Sequence, residues 1–473
     1  MPLAIFKFAL LSLLLADSLS IAQASKNVKM VLEIFRHGAR REMSEMPPPP
    51  SVSGLSYPDP QWGLMDLTIV GMREHYNLGR QIKQAYPDII PSSFDPSKIH
   101  LIASSTNRTI LSAESQLFGM FDLGSGGKID FDSKDYYQPP IPGFDIPYAD
   151  GNSGLPKLFN SIPIKNPSAE HNYIFSAGSV QTCPKFGLTM KDLREKMTEK
   201  YENEFNSLYD LLTSSGYDAK TYGKKDKYTY ELALNVCDYI ISNTWNNPGF
   251  SVSKLLLDQC QAFVTFDLFG YFFTDTAQMT FTSKLNEKII EVFDNYVKGV
   301  DKQVSLVMFS GHDTTLTAFL NNFFPENSAC ILNAYRRGIY GAGDQQYYGR
   351  NPISGCIDRV RYTANVIIEL YTIDQGSELY VNMKYNNVDI PVKGFEDNDM
   401  PLSTFIDILS SRVDSKWEEN CGVSQTEALN KNTVNAIWVS SVVLLILLIV
   451  LLVVSRNRKP SFTADEYYDK LSA

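Results

Sequence analysis

The chain has 473 residues, 44% of them hydrophobic and 20% charged, which allows a large buried core and excludes bulk disorder. Its formal charge of -10 excludes a general nucleic-acid or polyanion binder, which needs a basic face, so any anion site must be local.

Residues 1–24 read as a secretory leader: Lys7 is the lone early positive charge, Phe8 to Ala16 is apolar, and Ala22-Gln23-Ala24 offers small residues for cleavage. The run Met30-Val31-Leu32-Glu33-Ile34-Phe35 predicts a buried strand that ends directly in Arg36-His37-Gly38-Ala39-Arg40. A neutral His is a competent nucleophile toward phosphorus, and Arg presents planar donors matched to phosphate oxygens. Pro47 to Pro50 form a stiff stretch, either a wall of the site or a rigid surface loop. Thr68 to Tyr86 carries its own cap and a helical period. His100-Leu101-Ile102-Ala103 is a second short strand, leading through Ser104-Ser105-Thr106-Asn107 into Arg108 and an amphipathic helix over Ile110 to Phe121, with Thr106 or Asn107 as N-cap.

Between about Pro140 and Val300 long polar-rich helical stretches, Met190 to Leu212 and Tyr230 to Trp245 among them, predict a helical insertion. Phe263, Phe266, Phe269, Tyr271, Phe272 and Phe273 cluster there, a pattern favouring core packing over an apolar ligand pocket. Val304 to Phe309 is a third strand, entering Ser310-Gly311-His312-Asp313 and a helix over Thr314 to Phe323. Asn365 to Ile373 and Leu379 to Tyr385 flank Asp374-Gln375-Gly376 as a β-hairpin.

Val434 to Val454 is apolar, long enough to cross a bilayer, and followed by Arg456, Arg458 and Lys459. By the positive-inside rule those charges stay cytosolic, which predicts a single-pass type I membrane protein with a lumenal or extracellular ectodomain. The six cysteines, Cys183, Cys237, Cys260, Cys330, Cys356 and Cys421, then sit in an oxidising compartment as three disulfides. None has the C-x-x-C spacing of a zinc site, so metal binding is the weaker alternative.

Three strand ends thus carry Arg36, His37 and Arg40, then Arg108, then His312 and Asp313. The carboxyl ends of strands are where open α/β sheets bind ligands, and helix N-termini there favour phosphate. Two of the chain's five histidines occupy these junctions; His75, His100 and His171 are assigned to packing or surface.

Arg36-His37-Gly38-Ala39-Arg40, Ser105-Thr106-Asn107-Arg108-Thr109 and Ser310-Gly311-His312-Asp313-Thr314-Thr315 closely resemble the histidine acid phosphatases, particularly the prostatic and lysosomal branch. Leu67 to Met72, Gln138 to Pro142, Thr182 to Phe186 and Trp417 to Cys421 look like landmarks of the same family in the same order. The resemblance implies an α/β fold with a three-layer mixed β-sheet core, about 25–140 and 300–425, and a helical cap inserted over about 140–300. The ectodomain would span 25–432, followed by a transmembrane helix at 434–454 and a cytoplasmic tail at 455–473.

It further implies hydrolysis of small phosphomonoesters at acid pH. His37 would be the nucleophile and Asp313 the proton donor; Arg36, Arg40, Arg108 and His312 would hold the phosphate. No cofactor or metal and no nucleic acid enters that scheme; a homodimer is suggested. Cys183 with Cys421 is the pairing carried over from the family. Phytase-like or lysophospholipid specificity, or a catalytically silent receptor ectodomain, are the alternatives.

Three departures stand out. Arg41-Glu42 occupy the place where the family usually continues its first motif with a Pro, Asn365 stands where a Cys is common, and the small Cys-x-x-x-Cys loop expected near Gly394 to Leu402 is missing. Asn107-Arg108-Thr109 is the N-glycosylation sequon, and its overlap with the phosphate site predicts that it stays unmodified. Tyr468-Asp469-Lys470-Leu471 has the form of an endosomal and lysosomal sorting signal, with cell-surface residence as the alternative.

Overall fold

The structure, a computed structural model, describes residues 25–47, 63–121, 123–128, 153–176, 178–270, 272, 274–337, 356–357, 360–374, 376–390, 392 and 399–423. Strand β1 (Lys26–Arg36) is central, because every side chain from Met30 to Arg36 is buried and such a run needs cover on both faces. It pairs in parallel with β3 (Leu306–Gly311) and antiparallel with β4 (Asn365–Ile373). Beyond β3 lies β2 (Ile99–Ala103), and beyond β4 come β5 (Tyr380–Tyr385) and β6 (Val388–Asp389), with β7 (Met400–Pro401) also on β5. The register aligns Arg36 with Gly311 and Ala103 with Ser310, so β1, β3 and β2 end at one level.

Alternation along β1 separates two apolar faces. Val31 and Phe35 join Ile82 and Leu117 of helices α1 (Ile69–Ala85) and α2 (Asn107–Met120). Met30, Leu32 and Ile34 join a larger cluster that includes residues of α3 (Pro184–Tyr201), α4 (Asn206–Ser214), α5 (Tyr230–Asn246), α6 (Lys254–Gly270), α7 (Asp275–Val297), α8 (Asp313–Asn321), α9 (Asn327–Arg336) and α10 (Leu402–Ser411). The sheet is therefore mixed and lies between helices. All of this belongs to one compact unit that ends at Trp417.

Thr68 caps α1, its side chain accepting from the Gly71 amide at 3.2 Å. The helices α1 and α2 cross backbone to backbone, since a methyl at Gly79 would strike the Gln116 carbonyl and one at Gly119 the Tyr76 carbonyl. Met190 to Leu212 is not one helix: a 3₁₀ turn over Glu202–Phe205 divides α3 from α4. The turn delivers the fully buried Phe205 to Phe263 and Phe266, with ring centroids 4.7 and 5.4 Å away, so tertiary packing overrides helical propensity.

Disulfides join Cys237 to Cys260 and Cys330 to Cys356, fixing the pairing of those four. Cys183 and Cys421 are also disulfide-bonded. The leader over 1–24, Pro48 to Pro50, Gln138 to Pro142, the span Val434 to Val454 and the Tyr468 motif lie outside the described residues, among which no helix is long and apolar enough to cross a membrane.

Candidate active site

The three strand ends converge. Past β1 the chain stays tied to the sheet, the His37 amide donating to the Gly311 carbonyl at 3.1 Å. It then crosses α1 where only two glycines fit: a methyl on Gly38 would lie 2.5 Å from the Gly71 carbonyl oxygen. Further bonds fix the loop: Gly38 N–H donates to Ser112 Oγ at 3.0 Å and Ala39 N–H to Glu74 Oε2 at 2.8 Å.

His37 is buried, and its Nδ1 lies 2.9 Å from the Gly38 carbonyl. A carbonyl oxygen only accepts, so Nδ1 carries the proton and the lone pair of the neutral ring is on Nε2. Burial first, then Arg108 and Arg36, push the pKa of His37 well below the ordinary imidazole range. Both effects favour the neutral ring.

Arg36, 1% exposed, donates from Nη1 to the Val360 carbonyl at 2.7 Å and pairs through Nη2 with Asp313 Oδ2 at 2.8 Å. Its guanidinium lies 4.4 Å from the Tyr362 ring centroid. Arg40 forks onto both oxygens of Asp238, at 2.7 and 3.1 Å. Although burial pulls the pKa of Arg40 down, Asp238 holds it above the ordinary value.

At the second junction Arg108, in the first turn of α2, donates from Nη2 to His312 Nδ1 at 3.4 Å. Burial, with Arg40 next, lowers the pKa of Arg108 to about 10. Asn107 is exposed, while Thr106 and Arg108 on either side line the cavity, so a glycan there would stand at its rim.

At the third junction His312 is the N-cap of α8 and Asp313 its first residue. Ser104 Oγ lies 2.9 Å from His312 Nε2, so both ring nitrogens have partners in the free protein. Burial and Arg108 lower its pKa to about 3. For Asp313, burial alone would raise the pKa, but Arg36 and then Arg40 hold it below the ordinary carboxylate range.

The six expected side chains border or underlie one cavity of about 510 Å³, lined by His37, Arg40, Arg108, His312 and Asp313, with Arg36 beneath and bonded to Asp313. Three guanidiniums around an imidazole make a cradle suited to an anion. Among the described residues no cluster of three or more His, Cys, Asp or Glu is placed to hold a metal ion.

Helix α3 supplies Met190, Lys191 and Arg194 to the walls and α7 supplies Phe281; Phe272 lies between α6 and α7, and Met43 and Met65 lie between β1 and α1. Phe263, Phe266 and Phe269 are fully buried as expected, whereas Phe272 faces the cavity; Tyr271 and Phe273 lie outside the described residues. His75 is buried against Gln116 and the Arg36 carbonyl, His171 is exposed beside Ser168, and His100 lines a separate small cavity. Sequence reasoning missed Asp238, Tyr362, Glu74 and Ser104. Ser104 adjoins the second motif and was within reach; Asp238 sits mid-helix nearly 200 residues from Arg40, with no local signal.

Residues 27–386 match the family described as histidine phosphatase superfamily (branch 2). Human prostatic acid phosphatase is 32% identical over 361 residues, 72% of this chain and 83% of the relative. Human lysosomal acid phosphatase is 23% identical over 466 residues, 95% of this chain and 93% of the relative. Among solved structures, Hafnia alvei phytase in complex with tartrate superposes with a TM-score of 0.56 at 13% identity, covering 84% of this chain and 98% of that one, a likeness of fold alone.

Proposed function

We propose how this chain, a phosphatase that belongs to branch 2 of the histidine phosphatase superfamily, hydrolyses its phosphate monoesters. His37 Nε2 attacks phosphorus, the ester P–O bond breaks, and Asp313 gives its proton to the departing alkoxide. Water then attacks the phosphohistidine, ionised Asp313 takes its proton, and the N–P bond breaks to release phosphate. Arg36, Arg40 and Arg108 hold the phosphoryl oxygens and offset the charge of the transition state, and His312 joins them by exchanging a present partner for the ligand. The observation that carries this reading is the committed Nδ1 of His37 beneath three guanidiniums, which leaves Nε2 for attack.

Acid pH suits this scheme. In the free site Asp313 is an ion-paired carboxylate; a bound dianion draws on Arg36, weakens that pairing and raises the carboxyl's proton affinity, while low pH fills it. An optimum above neutrality would remove the role given to Asp313. The direct test assays the detergent-solubilised full chain on an aryl phosphate and traps the phosphoenzyme by denaturing quench. His37→Ala is expected to abolish both turnover and trapped phosphate; parental turnover by that variant would sink the mechanism and revive the silent-receptor reading.

The walls bear on substrate. Met43, Met65, Met190, Phe272 and Phe281 favour a leaving group with an apolar face, such as a lysophospholipid, over an inositol polyphosphate, for which Lys191 and Arg194 are the further cations on the cavity wall among the described residues. Faster turnover of phytate than of lysophosphatidate at equal concentration would reverse this preference.

The remaining assignments rest on the sequence and on the family resemblance of its motifs. They are the leader over 1–24, a core of about 25–140 and 300–425 with a cap over 140–300, and the Cys183 to Cys421 disulfide. The membrane span at 434–454, a short tail that directs the protein to endosomes and lysosomes, with cell-surface residence as the alternative, and a homodimer complete them.

A further inference from the structure

Four side chains of α5 at positions 238, 242, 245 and 246 share one helical face, by the three- and four-residue spacing; two bond the phosphate loop directly and two bond residues that touch it. Asp238 takes both guanidinium ends of Arg40 and also the Met43 amide, at 2.9 Å. Ser242 Oγ lies 2.9 Å from the Tyr362 hydroxyl, and the Tyr362 ring underlies Arg36 and Arg40, with centroid distances of 4.4 and 5.9 Å. Trp245 Nε1 donates to Glu74, the carboxylate that also accepts from the Ala39 amide and from Thr363 Oγ1. Asn246 Nδ2 donates to the Arg40 carbonyl at 2.9 Å, and its Oδ1 accepts from Thr68 Oγ1, the cap of α1, at 2.6 Å. One residue before Asp238, the Cys237 to Cys260 disulfide ties α5 to α6.

Asp238 and Arg40 are both almost fully buried, at 5% and 7% side-chain exposure. Desolvating two charges costs about as much as their attraction returns, so stability alone does not account for the pair. What it accomplishes is geometric: a two-point fork fixes the plane of Arg40, and the negative charge offsets part of the charge of three clustered guanidiniums.

We propose that the polar face of α5 is the positioning frame of the phosphate loop and that Asp238 is the positioning residue that sets Arg40 for its phosphoryl contact. The proposal rests on the catalytic reading above. A positioning residue acts on anion affinity more than on stability, and a guanidinium displaced by about 1 Å costs on the order of 100-fold.

The test measures kcat, KM and the inhibition constant of inorganic phosphate for the full chain and for Asp238→Asn, Asp238→Glu, Asn246→Ala and His37→Ala. Asp238→Asn is expected to weaken phosphate about 10- to 100-fold and to raise KM more than it lowers kcat, with Asp238→Glu recovering most of the loss. Asn246→Ala introduces no unpaired charge and is expected to weaken phosphate several-fold while still folding, with a lower thermal midpoint because the Arg40 carbonyl and Thr68 hydroxyl lose a partner. Should Asp238→Asn fail to fold, Asn246→Ala decides. Parental phosphate affinity in whichever of the two is folded, with His37→Ala inactive, overturns the frame and leaves the mechanism standing; an active His37→Ala overturns the mechanism instead.

Discussion

Two polar groups meet at the carboxyl end of β1, one around His37 and one around Glu33, and they do opposite things. At the strand end His37, His312, Asp313 and the guanidiniums border a cavity. One layer inward, Glu33, His75, Gln116 and Asn365 close on themselves. Glu33 accepts from Asn365 Nδ2 at 2.9 Å and from Gln116 Nε2 at 2.5 Å, and the His75 ring lies 3.0 Å from Gln116 Oε1 and 3.1 Å from the Arg36 carbonyl. Burial shifts pKa values in both groups, so a perturbed titration does not by itself mark chemistry. The difference is access: the strand-end group opens onto a cavity and the inner group bonds within the protein.

Exchanging the histidines tests that contrast most severely. His37→Ala is expected to lose all turnover with little change in thermal midpoint. His75→Ala leaves Gln116 and the Arg36 carbonyl buried without their partner and is expected to cost about 1–3 kcal/mol per group, read as a lower denaturant midpoint. If His75→Ala keeps parental stability but loses kcat, the division between the two groups is wrong.

Next in size, Asp313→Asn is expected to lower kcat on an aryl phosphate by about 10²- to 10⁴-fold, because a general acid is removed while Arg36 keeps its place. Substrates with more acidic leaving groups should suffer less, and a loss independent of leaving group would contradict the proton-donor role.

The inner layer is expected to contribute two opposing changes to pH-dependent stability. Burial raises the Glu33 pKa from 4.5 to about 7, so the folded protein keeps a proton that the unfolded chain releases. Stability from this group is full below about pH 4.5 and is lost as pH rises toward about 7, a change of roughly 3 kcal/mol. His75, lowered from 6.5 to about 4, works the other way, costing stability as pH falls through that range. The two largely offset each other at acid pH. Urea unfolding of Glu33→Gln and the parent at pH 4.5, 5.5 and 6.5 should show their difference in stability shifting steadily by about 2 kcal/mol, the part of that change that falls between those pH values; a constant difference would show that Glu33 titrates normally.

Smallest is the effect of the glycine crossing beneath the loop. Gly71→Ala forces a methyl against the Ala39 backbone and is expected to destabilise by about 1–3 kcal/mol and to raise KM, read by thermal denaturation and initial rates.

Much of this was legible along the chain because its causes are local. Thr68 before an apolar period marks the start of α1, the run before Arg36 marks β1, and the junction residues Arg36, His37, Arg40, Arg108, His312 and Asp313 each follow a strand of the expected kind. The helix break at Glu202–Phe205 was not legible, since the aromatic rings that draw Phe205 inward belong to residues some sixty positions later. Nor was the role of Tyr362, whose ring meets Arg36 only because β1 and the approach to β4 are neighbours.

The sequence by itself determined the strand and helix starts and the chemistry of the strand ends, because caps, apolar periods and reactive side chains are written in consecutive residues. Only the tertiary structure decided which histidines open onto a cavity, which carboxylate holds Arg40, and which side chains line the cavity walls. Those are properties of contacts between residues hundreds of positions apart, and burial, charge pairing and cavity shape exist only once the sheet brings them together.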